Sequence, residues 1–145
     1  AELGVVYADG PDEYREPMRI YGEKVGVAFQ LIDDVIDIVS DASGKTPGTD
    51  LRAGVPTMPT LLLRAQAATD PKAAELIEII DAGLEDDDQL ALAVSKLREH
   101  PALEEAYQLA RKWSAEAVQA LAPLPDSPVK DALRVFAEAV VDREQ

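Results

Sequence analysis

The chain has 145 residues, of which 47% are hydrophobic, with a net charge of −14 and no cysteine. That length fits one domain or a piece of one, with enough apolar residues for a real core, while the missing cysteines exclude disulfides and thiolate metal sites and suit a reducing cytosol. The acidic balance argues against nucleic acid as a partner, since a phosphate backbone needs clustered Lys and Arg, and the longest apolar run, 25–39, is interrupted by Gln30, Asp33, Asp34 and Asp37 and so makes no membrane span.

Apolar residues recur at spacings of three and four, and few segments read as strands. Residues 1–8 read as a helix without a cap, which suggests a chain cut from a longer one. After the "DGP" turn, one long helix is predicted from 12 to about 41, with Pro17 kinking its first turns or delaying its start. Residues 41–56 are rich in Gly, Ser, Thr and Pro and read as a loop. A short apolar helix then starts at Thr57 or Pro59 and runs through Ala68. Asp70 is the predicted N-cap of the next helix, with Pro71 at its first position and Ala73, Leu76, Ile77 and Ile80 on one face. A helix over 87–99 turns Leu90, Ala93, Val94 and Leu97 inward. Another over 101–121 buries Leu103, Ala106, Tyr107, Ala110 and Ala117. The connector 122–128, "APLPDSP", leads to a last helix over 129–141 that buries Ala132, Leu133, Phe136 and Val140. The predicted fold class is all-α, an antiparallel helical bundle with mostly short loops.

The long helix holds the chemistry. Val25, Ala28, Phe29, Ile32, Ile36 and Val39 form one apolar stripe, and Val27, Leu31, Val35 and Ile38 a second. A helix apolar on two sides is central rather than superficial. The remaining strip is Gly26, Gln30, Asp33 and Asp37, with Asp34 beside it. Acidic residues on a helix are commonly a solvated face, but here both flanks are apolar. Like charges at this spacing repel, and partial burial makes that far more costly unless something positive joins them. Lys24 is one to two turns away. A hard cation is the simplest partner: Mg²⁺ takes oxygen ligands and is typically held by one or two carboxylates plus substrate phosphates. The following loop carries Lys45 after Gly44, a point charge able to reach a phosphate, and Asp50, placed to orient that lysine or a metal-bound water. The alternating acidic spacing and sixth-position glycine of an EF-hand are absent.

The stretch "GVAFQLIDDVIDIVSDASGKTPGTDLRAGVPTMP" resembles the second aspartate-rich region of the trans-polyprenyl diphosphate synthases, whose pattern reads roughly GxAFQxxDDxxD, then GKxxGxD, then GKxTxP. The likeness covers about residues 22–59. It implies a C-terminal half of an all-helical isoprenoid-synthase-type domain, residues 1–145 being that part, with the N-terminal half absent. It implies a Mg²⁺-dependent transferase, usually a homodimer and here expected in the cytoplasm. Such an enzyme condenses isopentenyl diphosphate head to tail with an allylic diphosphate. On the matching positions it implies that Asp33, Asp34 and Asp37 bind metal. It further implies that Phe29 and Gln30 lie beside the allylic substrate and that Lys45 contacts its diphosphate, with Asp33, Asp34 and Lys45 serving catalysis. Val55 departs from the pattern, standing where many relatives have lysine. The first aspartate-rich motif of the family, and the basic residues that take isopentenyl diphosphate, do not occur here. The isolated chain is therefore expected to be inactive.

Other readings compete. The chain could be a non-catalytic subunit or pseudoenzyme that pairs with a complete prenyl synthase, a relative of the terpene cyclases, or a plain acidic helical interaction module. His100, before Pro101, reads as a capping or surface cation at a helix end. Trp113 and Tyr107 read as core or interface anchors, and "EDDDQ" at 85–89 as an acidic helix start. Gly22 and Gly26 could let another helix approach closely, and Arg143 has no spacing argument behind it.

Overall fold

The computed structural model describes residues 1–40 and 46–143. Among them there is no strand. The helices are α1 (Glu2–Tyr7), α2 (Arg15–Val39), α3 (Thr49–Arg52), α4 (Met58–Gln66), α5 (Pro71–Asp81), α6 (Asp87–Arg98), α7 (Pro101–Ala120) and α8 (Pro128–Val141), with a single 3₁₀ turn at Asp12–Tyr14. The predicted all-α class is what the chain adopts.

Local chemistry accounts for most of the boundaries. Pro17 lies in the first turn of α2, where backbone N–H groups have no intrahelical partner, so its missing donor removes nothing and the helix continues. Asp70 caps α5 by accepting the Lys72 N–H at 2.9 Å, Asp86 caps α6 through the Asp88 N–H at 2.8 Å, and Ser127 caps α8 through the Lys130 N–H at 3.1 Å. Each is followed by Pro or Asp in the first turn, as a helix start favours. The acidic 85–89 segment is thus a cap and first turn.

The chain divides into two compact units. In the first, Ala1–Gln30 with Leu109–Gln145, Tyr21, Ala117, Leu121 and Ala137 form the buried centre, with Met18, Val25, Leu124 and Leu133 packed around it. Two buried hydroxyls find backbone acceptors: Tyr21 donates to the Leu133 carbonyl at 2.9 Å and Ser114 to the Ala137 carbonyl at 2.7 Å. Lys24 lies 4.0 Å from the Trp113 ring centroid and ion-pairs with Glu116 at 2.6 Å, so Trp113 is a partner for a cation as well as a packing element.

The inward face of α8 matches the predicted one at Val140 and Leu133 and differs elsewhere. Ala137, Val140 and Val141 are buried, whereas Ala132 is exposed and Phe136 is 56% exposed. The small pair Ser114 and Ala117 admits the α8 backbone at Ala137, and the hydroxyl bond fixes that phase, turning Phe136 outward.

The second unit is Leu31–Gln108. Its buried side chains include Leu31, Ile32, Val35 and Ile38 of α2, Leu63 of α4, Leu76 of α5, Leu90, Val94 and Leu97 of α6, and Leu103 of α7. All four inward residues predicted for α6 are buried. His100 is not at the surface: it is 6% exposed. Its Nδ1 accepts the Ala102 N–H at 3.2 Å, which caps α7, and its Nε2 lies 3.2 Å from Asp70 Oδ2. An accepting Nδ1 leaves Nε2 as the donor to Asp70. The Asp70 carboxyl is held below the usual carboxylate range, first by the Lys72 N–H and further by His100.

Candidate functional site

The predicted 41–56 loop contains α3, a single turn that the sequence pattern does not signal. Its position follows from three anchors. The Gly48 N–H donates to the Asp37 carbonyl at 2.7 Å, the Asp50 N–H donates to Asp37 Oδ2 at 3.1 Å, and Leu51 is 4% exposed. Gly48 has φ +79°, the left-handed region open to glycine at little cost.

This turn and the end of α2 line a cleft of about 770 Å³ formed by Asp33, Ile36, Asp37, Ser40, Asp50 and Arg52 together with Thr46, Pro47, Thr49 and Leu90. Asp33 and Asp37 are one turn apart on α2, and Asp50 comes from α3, so three carboxylates open into one space. Burial pushes the Asp37 carboxyl up from its ordinary value. The charges of Asp50 and Asp34 add to the rise, and the N–H groups of Asp50 and Thr49 oppose it.

Asp34 has a different environment. It is only 9% exposed, it is not among the residues lining the cleft, and its Oδ2 accepts the Met58 N–H at 2.8 Å. A carboxylate at the first residue of α4 meets the positive end of that helix. The Thr57 N–H beside it is taken by the Thr60 hydroxyl at 3.1 Å. Asp34 therefore ties α2 to the start of α4.

The other predicted site residues are placed as follows. Phe29 and Gln30 are exposed and belong to the first unit. There the Arg143 guanidinium lies 4.2 Å from the Phe29 ring centroid. Lys45 lies outside the described residues. Val55 is 45% exposed. Lys24, committed to Glu116, is no counter-ion for the acidic strip. Arg52 carries no motif signal, yet it lines the cleft. Only its position four residues after Gly48, at the end of the turn, could have pointed to it.

Among the described residues, no three His, Asp or Glu side chains converge closely enough to hold a metal ion. Asp33 and Asp37, a turn apart on α2, and Asp50 on the adjoining turn line one open cleft.

A family model described as polyprenyl synthetase matches residues 1–97 of the chain. The chain belongs to the polyprenyl synthetase family. It is 38% identical to the nonaprenyl diphosphate synthase of Mycobacterium tuberculosis, over 97% of this chain and 42% of that protein. It is 36% identical to the geranyl-diphosphate-specific all-trans-nonaprenyl-diphosphate synthase of Rhodobacter capsulatus, over 100% of this chain and 44% of that one. In structure it is similar to the geranylgeranyl pyrophosphate synthase of Corynebacterium glutamicum complexed with calcium and isoprenyl diphosphate, with a TM-score of 0.87 and 37% identity over 98% of this chain and 44% of that one. The chain thus spans less than half the length of these polyprenyl synthetase relatives. No helix among the described residues is long and apolar enough to cross a membrane.

Proposed function

We propose that this chain provides the second aspartate-rich half of a polyprenyl diphosphate synthase, a magnesium-dependent prenyltransferase that joins isopentenyl diphosphate to an allylic diphosphate. The supporting observation is the cleft shared by Asp33, Asp37 and Asp50 within the region that the family model matches. The similar synthase from Corynebacterium, solved with calcium and isoprenyl diphosphate, is consistent with a divalent ion at such carboxylates.

Asp33 and Asp37 are the residues we assign to the ion, with Asp34 fixing the helix that carries them. When bound, the ion neutralises charge on the diphosphate as it leaves the allylic carbon. Asp37 is oriented for this by the Asp50 N–H, which holds one of its oxygens. Lys45 is assigned to the diphosphate, and Phe29 and Gln30 to the allylic substrate, following the family pattern. The sequence contains one DDxxD, at 33–37, so we infer that the 145 residues alone do not complete the reaction; a homodimeric active form is assigned following the family pattern only.

Isothermal titration of the chain with inorganic pyrophosphate in the presence and absence of Mg²⁺ tests the site. Binding that requires Mg²⁺ and is lost in Asp33→Ala and Asp37→Ala is the expected result. Metal-independent binding, or binding unchanged in both variants, would refute the assignment. Incubation with farnesyl and isopentenyl diphosphates and Mg²⁺ tests the second point, since turnover by the isolated chain contradicts it.

A further inference from the structure

Four residues make a single helical turn, well below the length at which a helix holds itself together. Yet α3 must present the Asp50 N–H to Asp37 at a fixed distance. One end of the turn rests on α2 through the Gly48 and Asp50 amides. At the other end, the Arg52 guanidinium donates through Nε to the Leu84 carbonyl at 3.1 Å, and its Nη2 pairs with Asp87. Leu84 is buried just before α6, and Asp87 is in the first turn of that helix. Arg52 thereby fastens the turn to a rigid element that is separate from α2.

We propose that Arg52 is a positioning residue. By bridging to Leu84 and Asp87 it adds to the Gly48, Asp50 and Leu51 anchors in holding α3 in place, and so in keeping the Asp50 N–H on Asp37 Oδ2. The fork shape of the guanidinium matters, because one side chain must serve a carbonyl and a carboxylate at the same time. The exposed ion pair with Asp87 adds little stability by itself. The consequence of Arg52 is therefore local, at the turn and the carboxylate it orients. Its significance for ligand binding rests on the reading of the cleft proposed above, whereas its geometry does not.

The test is amide hydrogen exchange by NMR on the full chain, with Arg52→Gln, Arg52→Lys and Asp87→Asn, together with pyrophosphate titration in Mg²⁺. Arg52→Gln is expected to lower protection of the Asp50 amide by about tenfold, the equivalent of one lost hydrogen bond, while amides of α4 and α6 keep theirs. Pyrophosphate affinity is expected to fall in the same direction. Arg52→Lys restores part of the protection, since an ammonium reaches one acceptor but not both. Asp87→Asn, which leaves the bond to Leu84, gives a smaller loss and serves if Arg52→Gln does not fold. An unchanged Asp50 amide overturns the proposal, and so does a loss spread evenly over α4 to α6. If the parent chain binds no pyrophosphate while the Asp50 amide still responds, the positioning role stands and the cleft assignment fails.

Discussion

Gly48→Ala separates two reasons for a glycine in the turn before Asp50. The first is conformational: Gly48 has φ +79° and ψ +27°, and a left-handed residue with a Cβ costs about 1–2 kcal/mol. The second is packing: a Cβ there would lie 2.6 Å from Val94 Cγ2 and 3.1 Å from Leu90 Cδ1 on α6. Both are core side chains with little room to give, and overpacking of this kind costs about 1–3 kcal/mol. The expected loss is therefore about 2–5 kcal/mol. Gly54 provides the control, with φ +69° and nothing within 4 Å of its notional Cβ; Gly54→Ala should lose only the conformational part, about 1–2 kcal/mol. Urea unfolding followed by circular dichroism gives both values. Val94→Ala makes the packing contribution visible a second way, because removing Cγ2 should be less damaging in the Gly48→Ala background than in the parent. Equal losses for the two glycine variants, with no coupling to Val94, would refute the claim that α6 closes on this turn.

Two further predictions concern buried hydrogen bonds. Asp34→Ala leaves the Met58 N–H without its carboxylate and should cost about 1–3 kcal/mol in thermal or urea unfolding, with Asp34→Asn losing less because an acceptor oxygen remains. Tyr21→Phe removes the bond to the Leu133 carbonyl and should cost about 1 kcal/mol near neutrality. Burial also pushes the Tyr21 hydroxyl up, so its contribution is complete below the ordinary tyrosine value of about 10 and is lost as pH rises from there through the raised value of the folded state. Between about pH 7 and pH 11 the parent chain should therefore lose more stability than Tyr21→Phe, and equal losses in urea series at those two pH values would contradict this.

What could be read in the sequence was what depends on near neighbours. Asp70 with Pro71 started α5, the 3.6-residue period marked Leu90, Ala93, Val94 and Leu97 as inward, and the acidic 85–89 segment became a cap and first turn. Each is decided within one or two helical turns. The misses are decided at long range. α3 exists through Asp37, through the packing of Gly48 on α6, and through the reach of Arg52 over more than thirty residues to Leu84 and Asp87. His100 read as a capping or surface cation at a helix end; it does cap α7 through Nδ1, but it is buried because Asp70 and the start of α7 use both of its ring nitrogens. Phe136 fits an apolar stripe as well as Ala137 does, and the period cannot tell which of them Ser114 will meet.

The neighbouring carboxylates of the DDxxD show the same limit most sharply. Successive residues on a helix point about 100° apart, so Asp33 and Asp34 meet different surroundings. Asp33 and Asp37 share a face by their spacing of four. Asp34 turns toward the packed side, where a charge needs a partner to be tolerated. The N-terminus of α4 supplies one through the Met58 N–H. A sequence pattern records that an aspartate stands at each position but not what each one answers to. Here one pair lines the space where an ion and a diphosphate are assigned, and the third residue bonds the start of α4. The distance between those two functions is one residue along the chain, and its physical origin is the pitch of α2.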